Sequence, residues 1–184
     1  SPDENYAREV QQLFTVGLVQ LHPDGSLILD AAGQPIPTYN LTTITETAKV
    51  FTGWTFNIPG NTNFGAMPAT TSDLPKSDPT NGWLNPMRYS DAHHDTTAKN
   101  VLSLQQVPLD HASSTAIPAN QTGPQDLKML LDALFNHPNT GPFICRQLIQ
   151  RFVTSNPSPG YVYRVARAFA DDGAGVRGNL TAVI

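Results

Sequence analysis

The sequence is short of charge, of cysteine and of long apolar runs. Charged residues make up 14% of the 184, where an average globular chain carries roughly 25%. With 39% hydrophobic residues, that excludes a charge-rich disordered chain. No run approaches the roughly 18 consecutive apolar residues of a membrane span. Lysine and arginine number 11 against 15 acids, a net charge of −4. A general nucleic-acid binder needs a basic face, and this balance does not supply one. The single cysteine, Cys145, excludes an internal disulfide and a cysteine-based zinc site. It sits in the apolar run F-I-C-R-Q-L-I and reads as a buried, inert thiol. The serine-hydrolase elbow, the Walker loop and H-E-x-x-H are also missing. Gly173, Gly175 and Gly178 repeat the glycine spacing of a dinucleotide site, but they follow a helix rather than a strand and read as a loop.

What is plentiful is proline, 16 residues, and glycine, 13, so much of the backbone is loop. The expected fold is mainly α: a compact helical bundle with a small β-hairpin and long irregular loops. Ser1 and Ile184 both lie against helical patterns, so residues 1–184 read as a single helical domain of a longer chain. Ser1-Pro2-Asp3-Glu4 has the arrangement of a capping box, and Tyr6, Val10, Leu13 and Phe14 follow at helical spacing. The segment from His22 to Pro37 reads as an irregular hairpin that proline confines to an edge. Thr43-x-x-Glu46 is a second capping-box pattern, for a helix stopping at Thr52-Gly53-Trp54. Residues 57–91 show no period, and a loop that long is commonly functional or disordered. In the last third, apolar periodicity predicts helices over Leu127–Phe135, Phe143–Val153 and Val162–Phe169, with Asn179 capping a fourth. Short connections between them favour a bundle.

The polar residues offer several chemistries. His93-His94-Asp95 supplies two imidazoles and a carboxylate for a divalent metal or a proton relay, at most one histidine serving. The competing reading is a polar loop in which Asp95 caps a helix containing Lys99. Glu4, Arg8 and Glu9 are either a solvated helix start or, if buried, a paired network. Trp54 reads as a core anchor more readily than as a sugar platform, and Trp83 lies in the long loop. His137 stands where a helix-terminal cation would favour the dipole. Arg146, Arg151, Arg164 and Arg167 are spread over helices, where lone arginines serve surface pairing.

Taken in order, D-E-N-Y-A-R-E-V-x-x-L-F-T-V-G-L at 3–18, A-K-V-F-T-G-W at 48–54, H-D-x-x-x-K at 94–99, F-N-H-P-N-T-G-P-F-I-C-R-Q-L-I at 135–149 and V-T-S-N-P-S-P at 153–159 resemble a bacterial family catalogued as domain of unknown function 1800. The resemblance covers nearly the whole chain, and its specificity lies in the combination. It implies a portion of a longer, exported protein, periplasmic or extracellular. Its members are often encoded beside a second exported family, which implies a protein partner. The recurrent polar residues of the family correspond to Glu4, Asn5, Arg8, Glu9, Thr52, Trp54, His94, Asp95, Lys99, His137 and Arg146. Two functions are therefore expected side by side. One is a binding or assembly module that works with a partner protein or a surface polymer. The other is a hydrolase-like enzyme using Glu9, His94 and Asp95, with or without a divalent metal. In it Glu4, Asn5, Arg8, Trp54, Lys99, His137 and Arg146 would bind substrate, and Glu4 or Glu9 would approach the His94-Asp95 pair.

Overall fold

A computed structural model describes residues 3–65, 85–102 and 115–184. They are helix-rich, with two small antiparallel strand pairs. Trp83 lies outside the described residues, as does most of the aperiodic stretch from 57 to 91.

Helix α1 (Glu4–Gln12) starts because the Asp3 carboxylate accepts from the backbone N–H of Tyr6 at 3.0 Å, satisfying one of the donors a helix start leaves free. The cap is thus Asp3 rather than Ser1. The helix turns Ala7 and Gln11 inward and ends before Leu13 and Phe14, which stay exposed. Gly17 follows at φ +74, with the Phe143 ring 2.6 Å from where a Cβ would stand. Only glycine combines that backbone with that approach.

The expected hairpin is a ribbon of isolated bridges, Val19 with Pro37, Leu21 with Leu27 and Leu29 with Pro35. One buried side chain anchors it. Asn139 accepts from the Leu21 N–H at 2.6 Å and donates to the carbonyls of Val16 and Val19 at 2.5 and 2.9 Å. The asparagine of H-P-N-T therefore fixes the ribbon to the last third of the chain.

Helix α2 (Leu41–Val50) is capped by Asn40, whose Oδ1 accepts from the Thr43 N–H at 2.9 Å. The capping-box pattern at Thr43 thus lies inside the helix, with Thr43 its third residue. Gly53, at φ +82, turns the chain from α2 into β1 (Trp54–Thr55). That strand pairs antiparallel with β2 (Arg88–Tyr89), Trp54 opposite Tyr89. A 3-10 turn, Asp91–His93, leads on to β3 (Lys99–Leu102), which pairs with β4 (Thr115–Ile117). Lys99 is therefore in a strand. Asp95 caps no helix; its Oδ1 accepts from the N–H of Thr97 two residues on. Strands of two to four residues are too short to show a period of two, which is why the sequence pattern does not announce them.

The last third follows its sequence pattern closely. Helix α3 (Gly123–Asn136) carries a complete capping box between Thr122 and Gln125, with Pro124 in its first turn. Helix α4 (Thr140–Phe152) packs on α5 (Pro159–Ala170), and α5 on α6 (Leu180–Val183), which Asn179 caps. The main core gathers Val16, Val50, Val101, Leu102, Ile117, Leu130 and Leu134. Burying a leucine such as Leu130 contributes about 1.5–3 kcal/mol. A smaller cluster joins Ala7, Ile44 and Ala48, and a third joins Cys145, Ala166 and Phe169. Burial pushes the Cys145 thiol up to about 11, against the opposing charge of Arg177. The thiolate that makes a cysteine reactive is disfavoured there.

Candidate functional site

The polar residues converge where the end of α2, the loop before β3 and the start of α3 meet. Gly53 makes the meeting possible. A Cβ there would lie 2.9 Å from the Ser90 carbonyl oxygen and 3.1 Å from the His94 Cβ. Gly123 does the same at the other side, since a Cβ would stand 2.2 Å from the Tyr89 ring. Its N–H donates to the Tyr89 hydroxyl at 2.8 Å. The Tyr89 ring lies edge-on to His94 at 5.7 Å and against Trp54 at 5.3 Å. Burial raises the Tyr89 phenol above its ordinary range, opposed by the Gly123 N–H and helped by Asp91.

At the centre, the Asp126 Oδ2 lies 3.1 Å from His94 Nε2 and 2.7 Å from Lys99 Nζ. The His94 and Asp126 side chains are fully buried and that of Lys99 is 1% exposed. Asp126 stands in the first turn of α3, where the positive end of the helix dipole favours a carboxylate. Lys99 Nζ also donates to the carbonyls of Asp95 and Thr97, at 2.5 and 2.8 Å. Its three donors are all engaged.

The protons on His94 follow from its neighbours. The Thr52 hydroxyl donates to the Lys49 carbonyl at 2.6 Å and accepts from the Asp95 N–H at 2.8 Å. With its one proton engaged, it has none to give His94 Nδ1, 3.2 Å away. Nδ1 therefore carries a hydrogen and donates to the Thr52 carbonyl at 2.9 Å. Nε2 then faces Oδ2 with a proton between them. The second oxygen, Oδ1, is buried with no hydrogen-bond partner among the described residues.

Of the residues singled out from sequence, the structure brings Thr52, His94, Asp95 and Lys99 together, with Trp54 one ring away behind Tyr89. Asp95 takes part through its backbone. Burial raises its carboxyl, but the Thr97 hydrogen bonds and the charges of Lys99 and Lys49 outweigh this and hold it below the ordinary range. Glu4 is exposed, accepting from Thr45 at 3.2 Å. Asn5 is exposed beside it. Arg8 and Glu9 flank Tyr39 instead. Among the described residues no hydrogen bond or ion pair joins Glu4 or Glu9 to His94 or Asp95. The acid that meets the histidine is Asp126.

His137 caps the end of α3, its Nδ1 accepting from the Asn139 N–H at 3.0 Å. Burial, then the charge of Arg177, pushes it down to about 4, so it is a neutral imidazole rather than a dipole-pairing cation. Arg146 is exposed on α4 and reaches the Gly25 carbonyl at 3.4 Å. His93 is exposed, stacks on Phe64 at 3.8 Å and has its Nδ1 3.0 Å from the Ser90 hydroxyl.

Asp126 is the residue that sequence reasoning missed. An acid in the first turn of a helix reads as a dipole complement, and that is the only signal it carries. Chemically the cluster is one carboxylate against two bases. Among the described residues no group of three or more His, Cys, Asp or Glu is placed to hold a metal. An ammonium on the carboxylate further opposes a second cation.

A different surface lies at the far end of α3. Phe14, Leu131, Leu134, Phe135, Ile144 and Leu180 line much of an open groove of about 550 Å³. Phe14 is 68% exposed and Leu131 48%. Among its lining residues the charged one is Asp132, held by Lys128 at 2.5 Å.

The family model described as "Protein of unknown function (DUF1800)" matches residues 1–184. The chain belongs to that family. Comparison with curated proteins and with solved structures returns no match. No helix among the described residues is long and apolar enough to cross a membrane.

Proposed function

We propose that the chain is a binding or assembly module of an exported bacterial protein, periplasmic or extracellular, and that it docks an apolar segment of a partner protein. The observation that carries this reading is the groove beside Leu131. Its lining is mostly hydrocarbon, and its one carboxylate is already paired. A surface polymer such as a glycan is recognised through several hydrogen-bonding groups, which this lining barely supplies. An amphipathic helix needs only an apolar trough for residues one turn apart. The compact helical bundle expected from sequence belongs to the same reading, with α3, α4 and α6 as its walls.

The hydrolase-like alternative would use the His94–Asp126–Lys99 cluster. Its side chains are shut from solvent, so a polymer substrate has no approach to them, and this lends that alternative less support.

The test is titration calorimetry with the purified product of the neighbouring exported-family gene. A complex with micromolar or tighter affinity is expected, lost on Leu131→Glu and retained on the exposed control Arg151→Glu. Absence of a complex, or one indifferent to Leu131→Glu, overturns the reading.

A further inference from the structure

The buried cluster holds an amine, a carboxyl and a proton carrier in contact, with water excluded. We propose that Lys99 and Asp126 are a covalent modification site, where the two side chains condense into an intramolecular isopeptide bond with His94 as the proton shuttle.

Four observations support it. Lys99 Nζ is 2.7 Å from the Asp126 carboxyl, and both side chains are essentially without solvent contact. His94 Nε2 touches the same oxygen at 3.1 Å. It is held in register because Nδ1–H is fixed to the Thr52 carbonyl. The carbonyls of Asp95 and Thr97 grip the amine by two of its hydrogens and leave its third bonding direction aimed at the carboxyl. Finally, Asp126 Oδ1 is buried without a hydrogen-bond partner among the described residues. As a carboxylate oxygen it lacks every hydrogen bond it wants, whereas a neutral amide oxygen in the same place has less to lose.

The step balances without an oxidant or a co-reactant. The ammonium passes a proton to Oδ2 across their contact, giving a neutral amine beside a neutral acid. In an apolar site this exchange removes two charges. Nζ then attacks Cγ, forming the Nζ–Cγ bond. His94 Nε2–H gives its proton to Oδ2 and is refilled from the nitrogen. The Cγ–Oδ2 bond breaks, and Oδ2 leaves as water. Of the three ammonium hydrogens one remains on the amide nitrogen, the other two are matched in the departing water, and His94 ends as it began. The product ties β3 to the start of α3, and the same exclusion of water that brings the reactants together protects the amide from hydrolysis.

The experiment is intact-mass measurement of the folded, purified protein, followed by trypsin digestion after denaturation. No lysine or arginine lies between Lys99 and Lys128. An acylated Lys99 is not cleaved, so the expected product is one continuous peptide from Tyr89 to Lys128, lighter than its sequence by one water. Lys99→Arg should restore the full sequence mass, and His94→Gln should slow or abolish the loss of water. A wild-type protein of full mass overturns the proposal. So does a water loss that leaves cleavage after Lys99 intact, because that places the dehydration elsewhere. The wild-type mass decides the matter even if a variant fails to fold.

Discussion

The two ends of α3 reverse the usual distribution of polarity. At its start, Asp126 and two basic side chains are sealed from water. Near its other end, Leu131 and Phe135 stand open to solvent beside Phe14 and Leu180. Taking charges out of water costs several kcal/mol per ion unless each is paired, and exposing apolar area forfeits stabilisation of about 25 cal/mol per Å². The first is offset inside the chain, by hydrogen bonds from three elements. The second is not, and it is offset only when something covers the groove. A buried ionic cluster and an exposed apolar trough on one helix thus separate what holds this chain together from what it presents.

The largest test of that separation is Asp126→Ala. It leaves Lys99 and His94 buried without their acid, and should cost about 3–5 kcal/mol in urea unfolding. A loss under about 1 kcal/mol, the level of a surface pair, would mean the cluster is not a structural tie. Next comes His137. In the unfolded chain its ring takes up a proton as pH falls below 6.5, whereas in the native protein it resists until about 4. Stability from the neutral ring is therefore complete above 6.5 and is lost as pH falls toward 4, by about 3 kcal/mol. Denaturant midpoints of the wild type and His137→Gln across that window should converge as the pH drops. Thr52→Val is smaller. It removes the acceptor for the Asp95 N–H and the donor to the Lys49 carbonyl, and should cost about 1–3 kcal/mol, read as a lower melting temperature. Smallest of all, Leu131→Glu should change stability by no more than about 0.5 kcal/mol while abolishing partner binding. If it unfolds the protein, the groove is core and not an interface.

Legibility divided along the same line as the periods. Helices α3, α4 and α5 carry three to four turns of apolar spacing with caps and prolines at their starts, so their type and order could be read from the chain. The four strands among the described residues could not, because each spans at most four residues. The site was half legible. His94 and Lys99 stood out as an H-D-x-x-x-K pattern, and Thr52 lay just before the glycine stop. Their acid is 32 residues from His94, in a position with an adequate local explanation, and no short-range pattern pairs the two. The same holds for H-P-N-T. It reads as a helix stop, yet His137 and Asn139 point inward to partners chosen by the fold. Glu9 was drawn toward the cluster by the family resemblance, and the structure sets it beside Tyr39 instead.

The Asn139 amide sets an order of events during synthesis. Its three hydrogen bonds span 118 to 123 residues, so the first forty residues leave the ribosome long before their anchor exists. Contacts this distant in sequence form late and slow the closing of a fold. Until residue 139 emerges, the ribbon waits with its carbonyls unclaimed, in the partly folded condition that chaperones attend. A nascent chain truncated before Asn139 should leave the ribbon open to protease, and one extended through α4 should close it.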